Sequence, residues 1–182
     1  IFMWNEDLFF RSAVDSQLFA RYVTFLQTYK AKHIHYRNLP QSDRIYTPQR
    51  MLGVYDKGAP YRSIVMGFWD KQYLHGLLLD GETPWSFEIM GSYRTAYEDG
   101  FYSAMSPVVD FVHMVEKGKW IAGGVEYCKT HNIPIVIAAR AYTAANTLKS
   151  RLQVGYFRYM LSINWKFRVK LMGILRKALV SY

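Results

Sequence analysis

Three features of the sequence predict an α/β fold: a sheet with flanking helices, followed by a helical extension. Short apolar runs bounded by turn residues alternate with stretches of helical period as far as about Ala138. The 182 residues are 51% hydrophobic, enough for one domain with a sizeable core. From about Thr143 onward only the helical period remains.

Taken in order, Ile1–Trp4 reads as a buried strand ending at the polar turn Asn5-Glu6-Asp7. It carries neither a basic segment nor a cleavage-site pattern, so it does not read as a signal peptide, and the sequence is expected to open inside a strand. A helix is predicted over Asp15–Lys30, with Leu18, Tyr22, Phe25 and Leu26 on one face. Ile34–Arg37 is a short strand closed by Asn38, Pro40, Ser42 and Asp43. Met51–Tyr55 and Ser63–Phe68 follow as strands around the turn Asp56-Lys57-Gly58-Ala59-Pro60.

A helix over Asp70–Leu79 is broken by Asp80-Gly81, and Pro84 suits the first turn of the next. Phe101–Met105 and Val109–Met114 are expected to be extended. A helix over Trp120–His131, interrupted at Gly123-Gly124, precedes a strand over Pro134–Ala138. Two helices divided near Ser162-Ile163-Asn164 close the chain. In the second, Phe167, Leu171, Ile174, Leu175 and Leu179 form an apolar face, with Lys166, Lys170 and Lys177 away from it and Arg168 and Arg176 at its flanks.

Charge is distributed unevenly. Tyr127–Tyr182 holds ten Lys/Arg and no Asp or Glu, while the other 13 of the 23 basic residues face all 14 acidic ones in residues 1–126, a balance of −1. A neutral body with a basic tail argues against a nucleic-acid-binding domain, whose basic stripe more often crosses the folded body. Such a tail suits an anionic membrane surface (residues 143–182) or a helix packed on its own domain with a solvated basic face. No apolar run approaches the roughly 18–20 residues that span a bilayer. The single Cys128 excludes an internal disulfide and reads as a small buried helix residue.

Two clusters could carry chemistry. Glu6 and Asp7 follow a strand, where acidic oxygens can hold a divalent ion; an Asx turn or helix cap uses the same residues. In Asp80–Glu88, continuing to Gly91-Ser92, three carboxylates stand near Trp85. Glu88 lies one turn beyond Pro84, and Gly91 allows close backbone approach. A ring beside a carboxylate suits a sugar, whose C–H surface stacks while its hydroxyl gives up a proton. Acids near a helix start stabilised by the dipole are the structural alternative. His33 and His35 alternate on a strand and read as strand-surface residues rather than metal ligands.

The residues Tyr61-Arg62-Ser63, Trp69-Asp70-Lys71-Gln72-Tyr73-Leu74, Leu77–Glu88 and Gly91-Ser92 closely resemble one glycosyltransferase family of bacterial capsule, exopolysaccharide and lipopolysaccharide gene clusters. Met3–Asp7, Tyr36-Arg37, Gly118-Lys119-Trp120 and Arg140 extend the match in order over about residues 1–141. The resemblance implies a GT-A-like fold, a Rossmann-type mixed sheet flanked by helices, of which residues 1–141 are the acceptor-side part and 142–182 a basic amphipathic tail. The segments that would bind the nucleotide base and ribose precede the first strand in that family.

The resemblance further implies transfer of a sugar from a nucleotide-sugar to a glycan or lipid-linked glycan in surface-polysaccharide biosynthesis, at the cytoplasmic face of the membrane. It makes Glu88 the general base. Glu6, Asp7, Arg62 and Lys119 become donor or phosphate contacts, and Trp85, Glu82 and Trp120 sugar contacts. It adds a divalent ion, Mn²⁺ or Mg²⁺, at Asp7 and Glu6, with His113 as a further candidate. Asn5 stands where many such enzymes carry a first acid. The competing expectation is a non-catalytic carbohydrate- or membrane-binding module built on the same pocket.

Overall fold

In a computed structural model, the structure describes residues 1–5, 7–116, 118–136, 138, 141–143 and 148–179. The fold is mixed α/β: a mixed six-stranded sheet flanked by helices. Its strands are β1 (Phe2–Met3), β3 (His33–His35), β4 (Arg44–Ile45), β5 (Leu52–Val54), β6 (Gly67–Trp69) and β7 (Phe101–Ala104), in the order β1-β6-β3-β7-β5-β4. β3 and β7 are parallel, and β1 shares their direction because both β1 and β3 run antiparallel to β6. The carboxyl ends of β1, β3 and β7 therefore open on one edge.

Side chains alternate across the sheet. Ile34, Leu52, Phe68 and Ala104 meet Tyr22 and Phe25 of α1 (Ser16–Thr28) on one face. Trp69 and Phe101 meet Leu74 of α2 (Lys71–Leu77) and Phe87 of α3 (Pro84–Arg94) on the other. Each helix starts where its cap lies: Asp15, Asp70 and Thr83 accept from the backbone N–H of Leu18, Tyr73 and Ser86. Gly67 is required at its position. Its φ is 137°, and a Cβ there would meet the Ile34 carbonyl at 2.3 Å.

Beyond the sheet's edge, β2 (Leu8–Phe10) pairs with β8 (Phe111–His113). A smaller sheet joins β9 (Val115–Glu116), β10 (Lys119–Ile121) and β11 (Tyr142–Thr143), with α4 (Ala122–Thr130) packed on β8. The helical hairpin of α5 (Leu148–Leu161) and α6 (Trp165–Leu179) then returns to α3.

Four expectations need correction. Pro134–Val136 form no strand, and Val136 is exposed; the strand that pairs with β10 is β11. Gly123-Gly124 does not interrupt α4: Gly124 lets the helix approach β8, since a Cβ there would meet the His113 carbonyl at 2.8 Å.

His33 and His35 are buried rather than superficial, because β3 lies inside the sheet with both faces covered. His33 stacks on Trp69 with centroids 3.9 Å apart, and its Nδ1 donates to the Arg62 carbonyl. Burial lowers its pKa to about 3 and holds His35 well below the ordinary value, so both rings are neutral.

Lastly, α6 packs through residues outside its expected apolar face, and two members of that face stay open. Arg168 and Val169 are buried while Phe167 and Ile174 are exposed. Arg168 Nη2 meets Asp43 Oδ1 at 2.5 Å, with both side chains under a tenth exposed, and its Nε donates to the Ile163 carbonyl. The basic tail thus does have an acidic partner on the body.

Removing one member of a buried ion pair strands the other charge. Asp43→Ala is expected to cost about 3–5 kcal/mol in a denaturant melt and to speed hydrogen exchange in α5 and α6. Replacing both partners, with Arg168→Met added, should recover most of that loss. Equal losses in the single and double variants would mean that stranded charge is not the cause.

Candidate active site at the carboxyl edge of the sheet

Glu88 sits in the second turn of α3, held against the segment that leads into β6. The hydroxyl of Ser92 donates to the Glu88 carbonyl at 2.6 Å, and Ser63 Oγ donates to the same carbonyl at 3.2 Å. The two hydroxyls also meet each other at 2.9 Å, and Ser92 Oγ accepts from the Ser63 backbone N–H. A Cβ on Gly91 would lie 2.9 Å from Ser63 Oγ, so glycine is what permits this close approach. The expected role of Gly91-Ser92 is therefore met by a serine clasp that fixes the helix, and with it the Glu88 backbone.

The Glu88 side chain is half-buried. Burial pushes its pKa from 4.5 up to about 7, offset in part by a backbone hydrogen bond from Val65. Tyr61 and Tyr36 border it. Burial raises both phenols, Tyr36 to about 12, and the Glu88 charge adds to each rise. Tyr61 adopts φ 54°, a left-handed conformation uncommon outside glycine. Next to it Arg62 turns into the protein.

Tyr36 links this carboxylate to the rest of the edge. Its ring packs edge-on against Trp4, with centroids 5.6 Å apart, and lies tilted against Phe111 at 5.5 Å. The Arg37 guanidinium lies over Tyr36 and Phe111, 5.1 and 5.4 Å from their centroids. On the far side of this cluster, β2 and β8 bring Leu8 opposite His113, and His113 Nε2 approaches Asp7 Oδ2 at 3.1 Å. Asp7 and His113, both named by the resemblance as candidates for one ion, are thus neighbours, and both are partly exposed. A groove of about 350 Å³ opens beside them, lined mainly by Trp4, Leu8, Phe9, Phe10 and Tyr127.

A carboxylate oxygen beside an imidazole nitrogen is a donor set that suits Mn²⁺ better than the all-oxygen shell preferred by Mg²⁺. Among the described residues no group of three His, Cys, Asp or Glu converges. Glu6 and Arg140 lie outside the described residues.

No family model, curated protein or solved structure matches this chain. The site is therefore read from its own geometry.

Two predicted contacts are committed elsewhere. Arg62 is fully buried: Nη1 donates to the Asp56 carbonyl at 3.0 Å, Nη2 to the Glu98 carbonyl at 2.5 Å, and the guanidinium stacks 3.9 Å above the Phe101 ring. It faces no solvent through which a phosphate could reach it. Glu82 gives both carboxylate oxygens to Arg94, at 2.9 and 2.7 Å, and so locks the connection between α2 and α3.

Trp85, 71% exposed, stands one turn before Glu88 and offers an open indole face. Lys119 is exposed and Trp120 half-buried on β10, which hydrogen-bonds back to Met114 beside His113. Sequence reasoning passed over Tyr36, Tyr61 and Arg37 as neighbours of the acid; the paired Tyr-Arg steps at 36–37 and 61–62 were the available signal.

The raised pKa has a consequence for stability. Between pH 4.5 and about 7 the folded protein holds a proton on Glu88 that the unfolded chain has released, so stability falls as pH rises through that window. Glu88→Gln abolishes the loss and keeps an acceptor for Val65. Denaturant melts should show the variant more stable than wild type by up to about 3 kcal/mol near pH 8, with the gap closing near pH 4. A gap that is the same at both pH values would contradict the assigned environment.

Proposed function

We propose that this chain carries the acceptor-side, catalytic-base part of a nucleotide-sugar-dependent glycosyltransferase of GT-A type, with Glu88 as the general base. The observation that carries the reading is a half-buried carboxylate, raised by burial to a pKa of about 7, at the carboxyl edge of a mixed sheet on a helix whose backbone at Glu88 the serine clasp holds. A base poised near the working pH can both accept a proton and be regenerated. The motif resemblance over residues 1–141 supplies the reaction class.

In the proposed step, Glu88 takes the proton from an acceptor hydroxyl as that oxygen attacks the anomeric carbon. The bond from that carbon to the diphosphate breaks, and its electron pair leaves with the nucleoside diphosphate. One base and one displacement imply inversion at the anomeric carbon. Trp85 presents an aromatic face one turn from the base, suited to the C–H side of a sugar ring. Asp7 and His113 are the residues that would hold a divalent ion. Such an ion would stabilise charge developing on the leaving diphosphate. Lys119 is available as a further phosphate contact. The acceptor proposed is a glycan or lipid-linked glycan of a surface-polysaccharide pathway.

The exposed Trp85 and the aromatic groove beside Trp4 and Phe10 equally favour a second reading, a carbohydrate-binding module without turnover. Glu88→Gln separates the two. Assayed at full natural length with Mn²⁺ and a panel of nucleotide-sugars, the enzyme reading expects turnover to fall by about 10²–10⁴-fold in the variant. Wild-type kcat/KM should rise with pH to a plateau above about 7, following deprotonation of Glu88. A protein that binds glycan with unchanged affinity in both forms, and turns over no donor, would be the module instead.

A further inference from the structure

We infer that the outward face of the carboxyl-terminal helical hairpin is a docking surface for an anionic lipid bilayer, on which the protein lies without crossing it. Two members of the apolar stripe of α6, Phe167 and Ile174, are left open by the fold. Phe167 and Ile174, seven residues apart and so on one face, are each 66% exposed, with Leu171 between them. The opposite side, through Arg168 and Val169, makes the contacts with the body. A helix that only packed on its own domain would bury the stripe rather than present it.

Lys166 and Lys170 of the same helix are exposed, and the Lys170 ammonium lies 5.9 Å from the centre of the Phe167 ring. On α5, Leu152 and Tyr159 are again seven residues apart and exposed, 66% and 62%, beside exposed Arg158. No acidic residue occurs from Tyr127 to Tyr182. Apolar side chains bordered by cations, with no carboxylate nearby in sequence, complement a layer of acyl chains beneath anionic headgroups. Among the described residues no helix is long and apolar enough to cross a membrane, so the surface suits lying in the interface.

The inference is independent of the transfer chemistry, because its readout is partition and not turnover. The test is sedimentation of the full chain with vesicles of phosphatidylcholine alone or with one-third phosphatidylglycerol. Binding is expected to the anionic vesicles, weakened by salt, and to be slight on the neutral ones. Phe167→Ser with Ile174→Ser should lower the partition coefficient roughly ten-fold or more, and Lys166→Ser with Lys170→Ser about five-fold per charge. All four residues are exposed, so melting temperatures should hold, and a melt of each variant checks this. Equal binding to neutral vesicles, no binding, or partition unchanged in both variants overturns the inference. Self-association in light scattering that the Phe167 and Ile174 changes abolish, with no lipid partition, would assign the face to a second copy.

Discussion

The buried guanidinium of Arg62 is the constraint on which the site depends. It cannot lose its charge at any ordinary pH, although burial lowers its pKa to about 10, so the fold must supply acceptors. Those acceptors are carbonyls from two separate segments, at Asp56 and Glu98, with the face of Phe101 beneath. The polar cluster continues at Glu98, whose carboxylate takes hydrogen bonds from Lys32 and Tyr73. With Arg62 fixed inward, its neighbours have little freedom. Tyr61 is turned through a left-handed conformation toward Glu88, and Ser63 meets Ser92 on α3. One inward arginine therefore orients both the phenol beside the carboxylate and the helix that carries it.

Two effects oppose each other at Glu88. The amino end of α3 favours a negative charge, but that influence fades beyond the first turn and is worth about 0.3–1 kcal/mol at exposed sites. Glu88 is the fifth residue of the helix, past the turn where the dipole acts most strongly. Burial raises its pKa from 4.5 to about 7, a differential cost of about 3 kcal/mol to the charged form. Desolvation wins. The same residue at Trp85, in the first turn and open to water, would ionise as an ordinary acid. What distinguishes Glu88 is its register on the helix, one turn past the cap and facing Tyr36 and Tyr61.

The helices were legible because their signals are local. Asp15, Asp70 and Thr83-Pro84 mark the starts of α1, α2 and α3, and the periodic apolar residues mark the buried faces. Gly91 and Ser92 were legible as a close approach, though their partner Ser63 was not. Asp7 and His113 were joined only through the family resemblance, since their contact depends on the register of β2 against β8, two strands of three residues each. His33-Ile34-His35 alternates like a half-exposed strand, and only the strand order shows both faces covered. Arg62 and Glu82 were expected as ligand contacts through the family resemblance. Their partners are backbone carbonyls and a distant arginine, which leave no pattern in sequence.

The hairpin of α5 and α6 shows the same limit from the other side. Period and composition locate the apolar stripe of α6 but not the face that meets the body, and here two interactions compete for that face. Burying Phe167 and Ile174 would gain hydrophobic area, on the order of 1.5–3 kcal/mol for each fully buried side chain. The observed packing instead buries the Arg168–Asp43 pair, with Val169 beside it. A buried ion pair is seldom more stabilising than well-packed apolar residues, so folding energy alone does not favour this choice. It becomes intelligible if the apolar stripe has another use, since turning it inward would remove it from any surface outside the chain. The electrostatics agree: Asp43 neutralises the cation on the packed side and leaves Lys166 and Lys170 uncompensated by any acid of the tail on the open one.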